Sequence, residues 1–185
     1  MAIFNRELVL DTELTGLDIT DGDRVIELGL VEVFTIANIG FIGRKRQWQF
    51  NPEGRISPPE VQKIHKLSPE YLEKQPKFSD SVQDILSFIG NASLVHHCWV
   101  NPDGVHSKDE EALNAEFTRA GLPIIDHARW VNLKPWAVTK SPEKNSLNHM
   151  LDLYGVDRSA REARHGALID AELTAKYYLK IKNEL

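Results

Sequence analysis

The chain has 185 residues, 42% hydrophobic and 26% charged, with a net charge of −5. These values suit one soluble domain with a substantial core, expected over residues 1–185, and exclude a disordered chain. No apolar run approaches the roughly 20 residues a membrane span needs and no secretory leader opens the chain, so the expected location is cytoplasmic, and the single cysteine, Cys98, excludes an internal disulfide or a cysteine-based zinc centre.

In chain order, the first element is a short apolar strand from Leu8 that runs into Asp11, Thr12 and Glu13. Side chains on a strand alternate between faces, so Asp11 and Glu13 aim at one point. Two converging hard oxygen ligands suit Mg²⁺ or Mn²⁺. An Asp-x-Glu pair arises by chance about once in a chain of this size, so its meaning rests on further ligands. Arg24 to Thr35 is long, β-branched and apolar and reads as a core strand paired with the first, while Gln47 to Phe50 ends a third. The neighbouring bases Arg44, Lys45 and Arg46 read as a solvated rim.

Pro58, Pro59 and Glu60 start a helix that His65 closes. Ser79 to Ile89 is an amphipathic helix stopped by Gly90, and Ser93 to Cys98 is a short strand. A helix follows from about Ser107 to Ala120, with Ser107 and Glu110 in a capping-box pattern. Trp130 to Ala137 is ambiguous, and two helices near Ser146 and Arg161 complete the chain. Strands first, then alternating helices and strands, predict an α/β domain with a mixed sheet flanked by helices.

The last block holds His165 and Asp170. Five residues apart, they would diverge by about 140° on one helix, whereas a His165 placed just before the first turn can reach the same centre as Asp170. A histidine beside a metal-bound phosphodiester suits a general base.

These blocks together resemble one family: LVLDTELTGLD from Leu8, GDRVIELGLVEV from Gly22, NPEGRISPPEVQKIHKLSPEYL from Asn51, LNAEFTRAGLP from Leu113, and NSLNHMLDLYGV with RHGALIDAELTAKYYL between Asn145 and Leu179. The chain is similar to the DnaQ-like 3′-5′ exonucleases of the DEDDh type, most nearly the proofreading ε-subunit branch of bacterial DNA polymerase III. The resemblance implies a ribonuclease H-like fold and two-metal hydrolysis of a DNA 3′ end to 5′-mononucleotides. It implies that Asp11 bridges two ions (Mg²⁺ or Mn²⁺), that Glu13 and Asp170 hold the ion carrying the attacking water, and that His165 takes the proton. Thr12, Thr15, Gly16 and Leu17 would embrace the terminal nucleotide, with Leu17 against the last base. The implied partners are a single-stranded DNA 3′ end, with RNA open, and the polymerase catalytic subunit. The docking tail that ε subunits carry is not seen before Leu185.

The middle block departs from the family pattern. Cys98 stands where asparagine is usual, Lys108 where phenylalanine is usual, and the segment between is longer. Asp103 and Asp109 both compete for the third metal-site aspartate. Helical register favours Asp109, which shares a face with Ala112, Leu113 and Phe117, whereas Asp103 sits in the turn sequence Asn-Pro-Asp-Gly. Lys108 so near a carboxylate site could hinder metal binding. His96 and His97 read as packing residues, His106 as an exposed loop residue, and Trp99 as the least settled of the tryptophans. An exoribonuclease of the same fold and a non-catalytic binding relative are the alternative functions.

Overall fold

A computed structural model describes residues 4–36, 39–100, 106–182 and 184. Three long strands open it, β1 (Phe4–Leu14), β2 (Val25–Ile36) and β3 (Ile39–Gln49), paired antiparallel in sequence as the expected meander. Two short strands, β4 (Ser93–His96) and β5 (Trp130–Asn132), extend the sheet parallel to β1, giving the order β3-β2-β1-β4-β5. The helices are α1 (Pro59–His65), α2 (Pro69–Leu72), α3 (Phe78–Ile89), α4 (Lys108–Arg119), α5 (Lys134–Lys140), α6 (Leu147–Leu153), α7 (Ser159–Ala163) and α8 (Ala167–Ile181). None of them is long and apolar enough to cross a membrane.

Strand parity builds two cores. Leu8, Leu10, Leu28, Leu30 and Leu94 face α3 and α4, where Phe78, Ile85 and Phe117 are buried. Val9, Val31, Val33 and Val95 face the other way onto Met150, Tyr177 and Ile181. With both faces covered, β2 is buried continuously over its first nine residues, and each fully buried large apolar side chain contributes roughly 1.5–3 kcal/mol.

The structure divides the ambiguous Trp130–Ala137 stretch: three extended residues finish the sheet, and Pro135 in the first turn admits α5. The helix expected near Arg161 is two helices. Arg164 and Gly166 are extended, so the chain breaks at His165 and restarts as α8. His165 therefore precedes the first turn, the placement that lets it face the same side as Asp170.

Pairing between β1 and β4 runs only from Glu7 to Val9, although β1 continues to Leu14. The C-terminal half of β1 thus projects past the end of β4, and the notch beside it receives α4 from one layer and α8 from the other.

Candidate active site

Asp11 and Glu13 lie on the same face of β1 as Val9, the face that α8 covers. Asp11 is opposite Gly29 on β2, and a Cβ at Gly29 would come within 2.4 Å of the Leu168 backbone nitrogen. Only a glycine lets the first turn of α8 lie this close to the sheet. Asp170 belongs to that turn and is brought to the paired carboxylates: one oxygen each from Asp11, Glu13 and Asp170 lie within 4.8 Å of one another. Burial, followed by the charges of Asp170 and Asp109, raises the Asp11 carboxyl well above the usual range. Burial, Asp170 and Glu27 push Glu13 up to about 8. Three acids that cannot all ionise comfortably form a site short of positive charge, which is the electrostatic signature of a cation site.

Two arginines meet part of that deficit. Arg161 Nε donates to Asp170 Oδ1 at 2.7 Å and its Nη1 to Asn148 Oδ1, while Arg164 donates to Glu27, the neighbour of Glu13 across the strand pair. His165 directly follows Arg164 in sequence. Burial and the Arg161 charge hold its imidazole below the ordinary value despite the opposing pull of Asp170, so it is neutral at neutral pH.

Asp109 enters from the opposite layer, at the start of α4. It is buried, Thr12 Oγ1 donates to its Oδ1 at 2.7 Å, and His96 Nδ1 donates to its Oδ2 at 3.2 Å. Its charge reaches Asp11, but its oxygens are not part of the close Asp11–Glu13–Asp170 group. Asp103 falls outside the described residues. Strand alternation turns Thr12 off the carboxylate face, yet its hydroxyl is committed to Asp109, so Thr12 positions that acid. His96 packs against Trp130 as expected and orients Asp109 as well. Lys108 pairs with Glu111 at 2.8 Å, an i,i+3 contact, so its ammonium is turned along α4. Cys98 lines the groove where asparagine was expected; burial and Asp109 raise its thiol, which stays protonated.

The turn after β1 forms one wall of the notch. Thr15 is fully buried: its hydroxyl donates to Asp23 Oδ1 and accepts from the Arg24 amide, each at 2.9 Å. The Thr15 side chain thus fastens the turn that continues through Gly16 and Leu17. A Cβ on Gly16 would meet Asp23 Oδ2 at 2.3 Å, so glycine is required where the turn closes over that carboxylate. Leu17 is 68% exposed and Ile64 50%, and with Val61 they form an apolar rim on a groove of about 270 Å³ whose floor holds Asp11, Glu13 and Asp109.

A second recess of about 200 Å³ opens on the other side of Asp11 and is lined by His97, Trp99, Lys134, Asn148 and Arg161. Lys134 is 4% exposed, donates to the Asn145 carbonyl at 2.7 Å, and holds its Nζ 3.7 Å from the centre of the exposed Trp99 ring. His97 accordingly does more than pack: it borders the site, and burial lowers its imidazole to about 4. Sequence reasoning missed Lys134, Asn148 and Arg161, which carry no local motif. The one available signal was a lysine amid apolar residues at the start of a helix.

A family model described as exonuclease matches residues 8–178. The DNA polymerase III subunit epsilon of Rickettsia conorii is 33% identical over 182 residues, covering 95% of this chain and 73% of that protein. In structure, the chain resembles the nuclease domain of 3′hExo, a DEDDh family member bound to rAMP, with TM-score 0.72, 16% identity and coverage of 98% of this chain and 93% of that one. It also resembles E. coli Exonuclease I in complex with a dT13 oligonucleotide, with TM-score 0.74, 16% identity and coverage of 96% and 41%. The two structures share its ribonuclease H-like fold, a mixed five-stranded sheet flanked by helices. With a family match over nearly its whole length and a relative of one-third identity, this chain belongs to the exonuclease family.

Proposed function

We propose that this exonuclease hydrolyses single-stranded DNA from the 3′ end and releases 5′-mononucleotides. The convergence of Asp11, Glu13 and Asp170 at the projecting end of β1 carries this reading. Their oxygens lie close together, and burial with the neighbouring charges raises the carboxyls of Asp11 and Glu13, an arrangement that suits hard divalent cations, Mg²⁺ or Mn²⁺. Asp11, Glu13 and Asp170 would hold them, with Asp109 assisting from the far wall. Bound there, the ions would supply Lewis-acid stabilisation of the reacting phosphate and lower the pKa of a bound water.

The chain's own residues do the rest. His165, neutral because it is partly buried beside Arg161, accepts the proton of the attacking water. Leu17 and Ile64 offer apolar surface to the terminal base, and Gly16 keeps the turn close enough for that contact. On the other side of Asp11, Lys134 and Arg161 present positive charge to the strand's backbone, and Trp99 offers a face for a base to stack on. Thr12 and His96 keep Asp109 in one orientation. The relation to epsilon subunits makes the catalytic subunit of DNA polymerase III the partner we propose.

The test is to incubate the protein with 5′-labelled DNA and RNA single strands of the same sequence in Mn²⁺, beside Asp11→Ala. The proposal expects a ladder shortening from the 3′ end, faster on DNA and absent in the variant. Faster shortening of the RNA assigns the enzyme to ribonucleic acid; no cleavage of either strand overturns the catalytic assignment.

A further inference from the structure

On the outer side of α4, away from the acidic notch, a second set of metal-binding side chains converges. His106 immediately precedes the helix cap Ser107, Glu110 is in the first turn of α4, and His127 belongs to a 3₁₀ turn, His127–Arg129, that leads into β5. One ligand atom from each lies within 4.8 Å of the other two. His127 Nδ1 donates to Glu110 Oε1 at 2.8 Å, and the two imidazole rings stand edge to face with centroids 5.0 Å apart.

Glu110 shows that this is more than a surface contact. Its sequence position marks it as the return half of a capping box with Ser107, and Ser107 Oγ does accept from its amide at 3.2 Å. The Glu110 carboxylate turns to His127, and the residue is 3% exposed. A carboxylate that is this buried needs positive charge close by. Two imidazoles and a carboxylate, approached from solvent on the side of the half-exposed His127, supply the three protein ligands and open fourth position of many zinc sites. The donor set also differs from the all-oxygen notch: imidazole favours Zn²⁺, whereas carboxylates alone favour Mg²⁺ or Mn²⁺.

We infer that His106, Glu110 and His127 form a Zn²⁺ site separate from the acidic centre, a clamp tying the entry of α4 to the turn before β5. The clamp acts on the helical turn that presents Asp109. His127 is held in place for this by its own turn, where Asp126 Oδ1 accepts from the Ala128 amide at 2.9 Å.

The test is equilibrium dialysis of the full chain against Zn²⁺ with excess Mg²⁺ present to fill the acidic centre. The expected result is one Zn²⁺ per chain, retained in Asp11→Asn and weakened by about tenfold or more in His127→Ala, in His106→Ala and in Glu110→Gln. Cobalt(II) in place of zinc should give the visible bands of a four-coordinate ion, absent in His127→Ala. His127 is half-exposed, so its truncation leaves the core intact, and an unchanged circular dichroism spectrum without metal checks this. Zn²⁺ binding that survives either histidine substitution undiminished, that disappears in Asp11→Asn, or that is absent from the parent chain overturns the assignment.

Discussion

Replacing Glu13 with glutamine should stabilise the metal-free protein at neutral pH, the reverse of the usual effect of altering an active-site residue. Burial, Asp170 and Glu27 raise the Glu13 carboxyl from an ordinary 4.5 to about 8. A group whose folded pKa is raised contributes stability that is complete below its unfolded pKa and lost as pH rises through the folded one. The loss therefore runs from about pH 4.5 to about pH 8. One proton gives a slope of up to about 1.4 kcal/mol per pH unit within that window. Solvent in the groove screens part of the interaction, leaving roughly 2 kcal/mol at the alkaline end. For a domain of this size that corresponds to about 5 °C in melting temperature. Thermal melts in a chelator across the window, on the parent and on Glu13→Gln, should show a falling profile for the parent and a flatter, higher one for the variant. The difference isolates the Glu13 proton together with its coupling to Asp11. With Mn²⁺ added the order should invert, because the parent gains a ligand that the variant lacks. Parallel pH profiles, or a variant less stable than the parent near pH 8 without metal, would refute the reading of this site as a set of mutually repelling acids.

Three further outcomes are expected. Arg161→Gln should cost the metal-free protein about 3 kcal/mol by leaving buried Asp170 without its 2.7 Å partner, and much less in saturating Mn²⁺; an equal deficit in both conditions counts against cation binding at Asp170. His165→Gln should lower kcat by about 10²–10⁴ with little change in KM, and because its pKa is lowered the parent's activity should persist on the acid side until below the ordinary histidine range; an unchanged kcat removes His165 from the mechanism. Gly29→Ala should push α8 away from β2, cost about 1–3 kcal/mol, and weaken Mn²⁺ binding at a position that touches no ion; a variant with parental metal affinity shows that the close approach of the helix is dispensable.

The features the sequence determined by itself are local or periodic. Alternation put Asp11 and Glu13 on one face, prolines marked the helix start at Pro59, Gly90 marked a stop, and the spacing of Asp109 from Ala112, Leu113 and Phe117 identified a buried acid at the start of α4. The Trp130–Ala137 stretch stayed open because three sheet residues and a proline-started helix are each too short to show a period. Everything that depends on two distant segments meeting was decided by packing. The absent Cβ at Gly29 admits α8 and so delivers Asp170 to Asp11, a contact that neither segment encodes alone. The same holds for Thr12 and His96 on Asp109, for Arg161 on Asp170, for Lys134 over Trp99, and for Glu110, whose capping-box partner was legible but whose carboxylate went to His127. A side chain's nearest charge is set by which layers pack together, and strand and helix periodicity say which face a residue occupies but not what the opposite layer brings to it.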